Sequence, residues 1–144
     1  MNILSYNISW ECMTNSINGS AGTLGNICAL KSKNNFYCKD NFIKFLEYQI
    51  NKKKYDIIAL QEASNLDNLN NILYDLKINN YFIYTAISGN EKMITLIDKN
   101  KFKIIKHFSS KFKIGRPFHI FILKNILNQE NIIFVNLHYV VLND

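Results

Sequence analysis

The chain has 144 residues, of which 48% are hydrophobic and 13% aromatic, and its formal net charge is +6. This length allows one domain with a core, and the apolar content excludes a disordered chain. No apolar run approaches the roughly twenty residues of a membrane span, so no membrane partner is expected. The positive charge would attract polyanions such as nucleic acid, but the lysine runs that supply it are more typical of solvated surface.

The first predicted element is a short buried strand over residues 2–8, and a long polar loop over 14–35 follows it. A helix is predicted over 40–53, because apolar residues recur there at helical spacing and Asp40 is suited to cap it. Residues 57–61 form an apolar run too short for a helix, which indicates a second buried strand. A strand, a helix and a strand in this order predict a right-handed βαβ unit with parallel strands.

The second half of the chain is predicted to be mainly short strands. A second helix is expected over residues 66–78, where leucines and isoleucines form one stripe. The strands after it are predicted over 81–87, 93–98, 102–108, 117–124 and 131–138. Because the sequence contains no repeat or linker, residues 1–144 are predicted to form one α/β domain. We expect the strands 2–8, 57–61 and 131–137 in one mixed sheet, with both helices packed on one of its faces.

Polar side chains stand where three of these strands end. Asn7 closes the first strand, Glu62 follows the run 57–61, and Asn136 and His138 close the last strand. Strand ends that share one edge of a sheet are a usual place for ligands, and such groups suit a hard cation together with a phosphate oxygen. The alternative for Glu62 is a carboxylate that turns to solvent or caps the next helix.

Other polar residues are given structural interpretations. The cysteines at 12, 28 and 38 are odd in number, have no CxxC spacing and follow no secretory signal, so we expect reduced thiols and a cytoplasmic location. His107 and His119 lie inside predicted strands, where a histidine with a satisfied hydrogen bond is more common than a catalytic one. The glycines of the loop over 14–35 lack the spacing of a phosphate-binding loop.

Four phrases of the sequence, taken in order and spacing, resemble the endonuclease/exonuclease/phosphatase superfamily, which is related to DNase I and to abasic-site endonucleases. The Gln-Glu pair at 61–62, preceded by Asp-Ile-Ile, is the most specific of them. The phrases lie at 3–8, 55–62, 115–117 and 134–138. The resemblance implies the N-terminal half of a four-layer α/β sandwich, in which two sheets pack face to face with helices outside, and a metal-dependent phosphoester hydrolase.

The resemblance also implies a role for each matching residue. Glu62 would hold the divalent ion, usually Mg²⁺, and Asn7 would support that metal or the scissile phosphate through its amide. His138 would contact the phosphate and, as in DNase I-like members, would protonate the leaving oxygen. Arg116 matches a recurrent basic position for which we expect a structural role. The partner would be a phosphoester, with nucleic acid among the candidates.

Two motifs of the family are missing from this sequence. They are the Gly-Asp-x-Asn motif, which aligns the attacking water and stabilises the phosphate, and a final Ser-Asp-His motif. Ser9 also stands where some nuclease members carry Asp. We therefore expect a domain truncated before its C-terminal half, weak or inactive alone, with an inner sheet face left open. Self-association, a separately encoded second half and a decayed reading frame remain open, as does a non-catalytic binding or assembly module.

Overall fold

The computed structural model of the chain describes residues 1–9, 13, 37–66, 69–75 and 78–138. Its elements are β1 (Ile3–Asn7), α1 (Tyr37–Lys53), β2 (Ile57–Gln61), α2 (Leu69–Asp75), β3 (Tyr81–Ser88), β4 (Glu91–Asp98), β5 (Phe102–Lys111), β6 (Pro117–Asn125) and β7 (Asn131–Leu137). Every predicted strand and both predicted helices are present, and the bounds differ by a few residues. The predicted loop over 14–35 lies outside the described residues.

The longer helix, α1, begins earlier than its predicted start. Because it starts at Tyr37, Asp40 lies within its first turn instead of capping it, where a carboxylate still complements the helix dipole. The buried side chains Phe42, Leu46 and Ile50 form one stripe four residues apart. Lys54 ends the helix with a φ of 49°, and its N–H donates to the carbonyl of Ile50 at 3.1 Å.

The first sheet contains four strands in the order β1-β2-β4-β3. β1 pairs with β2 in parallel, with Ile3 opposite Ile57 and Asn7 opposite Gln61, whereas β4 is antiparallel to both β2 and β3. The sheet is therefore mixed, and the parallel βαβ unit predicted from the sequence is confirmed.

The second sheet contains three antiparallel strands in the order β5-β6-β7. The expectation that residues 131–137 join the first sheet is wrong, since β7 pairs with β6. The physical reason is the short connection over 126–130, which closes an antiparallel hairpin locally, whereas a parallel pairing would require a crossover of a dozen or more residues.

The core is divided by the first sheet into two layers. On one face, side chains of both helices pack with alternate residues of the central strands, among them Ile58 and Leu60. On the other face, Ile57 packs with residues of the second sheet such as Phe121 and Leu123. Both helices thus lie on one face, as predicted. The inner sheet face that the sequence led us to expect open is instead covered by β5, β6 and β7.

The outward side of the second sheet is apolar and exposed. We call this surface the outer face and define it by four side chains on β5 and β7 whose exposed fractions lie between 43% and 72%: Phe108, Ile133, Val135 and Leu137. Helices, a four-stranded sheet and a three-stranded sheet form successive layers, as expected for part of a four-layer α/β sandwich. Within the described part of the chain, no helix has the length and apolarity needed to cross a bilayer.

Candidate active site

The candidate site lies at the edge where β1 and β2 end. Because β4 is antiparallel to β2, its first residue, Glu91, lies at that same edge. The second sheet brings the end of β7 and the start of β6 together, since Phe118 lies opposite Leu137. Strand ends and strand starts from both sheets therefore meet on one side of the molecule.

Asn7, Glu62 and His138 lie together at this edge, as expected from the sequence. The Asn7 Nδ2 donates to Glu62 Oε1 at 3.2 Å and lies 3.5 Å from His138 Nε2. His138 Nε2 is also 3.4 Å from Glu62 Oε1. The side chains of Glu62 and His138 are only 15% and 20% exposed, so their interaction is screened less than it would be on an open surface.

The backbone turns sharply at both strand ends that carry the site. Glu62 has a φ of 55° and Ser9 a φ of 69°, in the left-handed region that residues other than glycine seldom adopt. The turn at Glu62 is held by two hydrogen bonds, from Ala63 N to Lys92 O at 2.7 Å and from Ser64 N to Glu62 O at 2.8 Å. Such outliers cluster at functional sites, where the surrounding structure compensates for their cost of about 1–3 kcal/mol.

The amide of Asn7 has a defined orientation. Its Oδ1 accepts the backbone N–H of Ser9 at 2.9 Å, which leaves the NH₂ group to face Glu62 and His138. Asn7 therefore presents a hydrogen-bond donor to the site. A donor suits the phosphate role that the resemblance implies for this residue better than the role of metal ligand, which requires the amide oxygen.

Glu91 and Arg116 complete the cluster, and sequence reasoning did not identify Glu91. Arg116 forms an ion pair with Glu91, and its Nη1 lies 3.2 Å from His138 Nδ1. Glu91 Oε2 lies 3.6 Å from the same ring nitrogen. Arg116, for which a structural role was expected, thus lies against the candidate catalytic histidine. The indication of Glu91 that the sequence offers is the turn at Gly89 and Asn90. Glu91 follows this turn directly and begins the antiparallel strand beside β2.

The protonation of His138 follows from these neighbours. Burial lowers the pKa of His138 below its usual value, the Glu62 carboxylate raises it, and the Arg116 guanidinium lowers it further. A guanidinium can only donate, so Nδ1 is assigned as the acceptor and the neutral ring carries its proton on Nε2. That tautomer presents an N–H to the space between Glu62 and Asn7.

The carboxylates fit a divalent cation. Glu62, Glu91 and His138 each offer one ligand atom, and these atoms lie within 4.8 Å of one another. Carboxylate oxygen is the preferred ligand of Mg²⁺, which usually retains several waters and takes one or two protein carboxylates. Glu62 meets this requirement, whereas Glu91 is already paired with Arg116. The residues present are therefore compatible with one Mg²⁺ held mainly by Glu62.

The other sequence candidates do not belong to this cluster. His107 and His119 face each other between the sheets, with ring centroids 5.3 Å apart, as the structural interpretation expected. Nε2 of each is buried with no hydrogen-bond partner among the described residues, so the expected satisfied hydrogen bond is missing at that nitrogen. Asn136, one of the expected polar strand ends, points into the protein and is 1% exposed.

Cys38 is disulfide-bonded, which corrects the expectation of reduced thiols. Cys12 and Cys28 lie outside the described residues.

No family model and no curated protein matches the chain. Solved structures do match. ANGEL2, a 2′,3′-cyclic phosphatase in complex with adenosine-2′,3′-vanadate, is 14% identical, with 96% of this chain and 41% of that chain covered and a TM-score of 0.68. TDP2 from Caenorhabditis elegans is 20% identical, with 94% and 34% covered and a TM-score of 0.58.

A third solved structure is an endonuclease/exonuclease/phosphatase family protein from Bacteroides thetaiotaomicron. It is 18% identical, with 94% of this chain and 49% of that chain covered and a TM-score of 0.58. The chain spans less than half the length of each of these three proteins. At such low identity the likeness concerns the fold. This chain therefore has the fold of part of an endonuclease/exonuclease/phosphatase domain, the superfamily that its sequence resembles.

Proposed function

We propose that this chain carries the metal and phosphate contacts of a phosphoester hydrolase, a nuclease or phosphatase of that superfamily. The observation that supports the proposal is the meeting of Asn7, Glu62 and His138 within 3.5 Å of one another at one sheet edge. One similar structure is that of a 2′,3′-cyclic phosphatase. The proposed substrate is a phosphoester, and nucleic acid is one candidate because the chain has a net positive charge.

Each residue of the cluster has a part in this proposal. Glu62 would hold Mg²⁺, and the ion would supply Lewis-acid activation of a phosphoryl oxygen and of a water molecule. Asn7 donates its amide N–H to a phosphate oxygen. His138 donates a hydrogen bond from its Nε2–H to a phosphate oxygen or to the leaving oxygen, while Arg116, itself paired with Glu91, donates to Nδ1 and holds the ring from that side.

We propose that the isolated 144-residue chain turns over slowly or not at all. The sequence has no Gly-Asp-x-Asn motif to align the water, and losing a positioned base commonly costs a factor of about 10² to 10⁴ in rate. Removal of one donor that stabilises the transition state typically costs about 10² or more. Either loss alone would bring the rate close to background.

The experiment is a Mn²⁺ titration followed by water proton relaxation, together with turnover of a generic phosphodiester and of abasic or nicked DNA in Mg²⁺. We expect metal binding in the wild-type chain, loss of at least about tenfold in affinity in Glu62→Gln, and background turnover in both. The control is Glu130→Gln, which removes an exposed carboxylate in a turn. Equal Mn²⁺ affinities of the wild type and Glu62→Gln would show that Glu62 is not the metal ligand. Rapid turnover by the wild type that Glu62→Gln abolishes would contradict the proposal that the isolated chain turns over slowly or not at all.

A second candidate function is a non-catalytic binding or assembly module. The outer face favours it, because contiguous exposed apolar surface of this kind usually marks an interaction site. Self-association or binding of a separate polypeptide that supplies the C-terminal half would cover it. Sedimentation of the wild type, Ile133→Lys and the control Ile87→Lys tests the idea, because Ile87 is 64% exposed on the first sheet and Ile133 is 72% exposed on the outer face. A wild-type chain that stays monomeric at about 100 μM rules out self-association.

The proposed location is cytoplasmic. The Cys38 disulfide argues against this location, because such bonds persist mainly in oxidising compartments.

A further inference from the structure

A buried hydrogen bond joins the two sheets directly behind the candidate site. Gln61 Nε2, from the end of β2, donates to Asn136 Oδ1, from β7, at 2.7 Å. Gln61 is 7% exposed and Asn136 is 1% exposed. In sequence, Gln61 precedes Glu62 directly, and Asn136 lies two residues before His138. The bond therefore connects the strand that presents the candidate metal ligand with the strand that presents the candidate catalytic ring.

The bond belongs to a longer chain of hydrogen bonds. Asn136 Nδ2 donates to Ile94 O at 3.2 Å and to Thr95 Oγ1 at 2.9 Å. Since Thr95 Oγ1 accepts from Asn136, its own proton is directed to His119 Nδ1, 2.8 Å away. The chain crosses β2, β7, β4 and β6, and it fixes the orientation of both amides.

We infer that Gln61 and Asn136 are positioning residues, whose mutual hydrogen bond sets the place of Glu62 relative to His138. Buried amides cost free energy unless they are fully hydrogen-bonded, and apolar side chains of similar volume would pack this layer without that cost. A hydrogen bond adds what apolar contacts do not, because it has a direction and a narrow range of length. The 3.4 Å distance between His138 Nε2 and Glu62 Oε1 depends on the relative position of two strands from different sheets.

The inference rests on the proposed function for its catalytic meaning, but its test requires neither metal nor turnover. The readout is the coupling between the two site residues, measured at pH 8 as the change that Glu62→Gln produces in the NMR shifts of the His138 imidazole. The chain has three histidines, so His138→Gln assigns the signal. The shift change is measured in the wild-type background and in the double variant Gln61→Leu/Asn136→Leu.

The double leucine variant separates position from stability. Gln61→Leu leaves Asn136 Oδ1 without this donor, and Asn136→Leu leaves the Gln61 amide only its longer contacts to Ser5 Oγ at 3.3 Å and Ala59 O at 3.4 Å. A buried amide that loses its partner in this way costs about 1–3 kcal/mol, whereas the double variant contains neither amide. We expect the double variant to be more stable than the sum of the singles implies, and to lose at least half of the shift change that Glu62→Gln produces. The exchanged pair Gln61→Asn/Asn136→Gln retains an amide on each strand and is expected to recover the coupling.

The control is a conservative change in the same layer. Ile57→Val with Leu123→Met alters two buried apolar side chains between the sheets and touches neither amide, so the coupling should stay at its wild-type value. The inference is overturned if Glu62→Gln shifts His138 equally in the wild-type and double leucine backgrounds. A Mn²⁺ titration of the same samples separates the two claims, because coupling without metal binding contradicts the proposed function and leaves the positioning role in place.

Discussion

His119 is a fully buried ring between two sheets, and its environment keeps it neutral. Burial, with a smaller contribution from His107, lowers the pKa of His119 from 6.5 to about 4, although the nearby backbone of Thr85 acts in the opposite direction. Burial lowers the pKa of His107 as well. The neutral ring accepts at Nδ1 from Thr95, a hydrogen bond that a protonated ring would not make in that form.

This pKa shift predicts an acid-sensitive fold. The unfolded chain binds a proton on residue 119 below about pH 6.5, and the folded chain does so only below about pH 4, so stability falls as the pH drops through that window. The contribution is fully present above pH 6.5 and amounts to about 3 kcal/mol. Urea unfolding at pH 7.5 and 4.5 measures it. His119→Gln should lose less stability between the two pH values than the wild type, and an equal loss would contradict the assignment.

Single residues of the site differ in how far the sequence predicts them. Glu62 stands out because it follows a buried apolar strand, and Asn7 and His138 because each ends a predicted strand. Glu91 does not stand out, since it begins a strand, and its place beside Glu62 depends on the antiparallel pairing of β4 with β2. The orientation of Asn7 depends on the turn at Ser9, which no spacing rule reveals.

At the scale of elements, β2 is the strand on which both layers depend. All five of its residues are buried, and Leu60 is 0% exposed within the layer that includes both helices. Leu60→Ala should cost about 2–5 kcal/mol, from lost burial and the cavity left behind.

The matched control for Leu60→Ala is Ile133→Ala on the outer face, where the side chain is 72% exposed and the expected change is within about 0.5 kcal/mol. Urea unfolding of both variants at pH 7.5 gives the two free energies. Similar losses would mean that the outer face is covered in solution, which would support the assembly alternative.

The type and order of the elements follow from the sequence, whereas their division into sheets does not. Alternating apolar residues place one face of β7 in the core, where Phe134 packs, but the other face carries apolar residues too. A strand that is apolar on both faces gives no indication of which sheet it joins. The turn near Lys101, where the chain passes from the first sheet to the second, has the composition of an ordinary hairpin turn.

For the whole molecule, the disulfide at Cys38 sets a covalent constraint. Three cysteines are present, and one disulfide uses two of them, so one thiol should react with Ellman's reagent in denaturant without reductant. After reduction, three should react. Three reactive thiols before reduction would show that Cys38 forms no disulfide and that the thiols are reduced, as the sequence led us to expect. Closing a loop in this way stabilises a fold mainly by restricting the unfolded chain, typically by about 2–4 kcal/mol.

The pairing of β1 with β2 has a consequence for the order in which the chain folds. The two contacts of Asn7 at the site span 55 and 131 residues of sequence, so both must wait for distant segments to come together. Hairpins such as β3 with β4 close locally and are expected to form earlier. We therefore expect Asn7, Glu62 and His138 to come together late in folding, so a metal ion that binds there would recognise the folded molecule. Such an ion is expected to slow unfolding without accelerating folding.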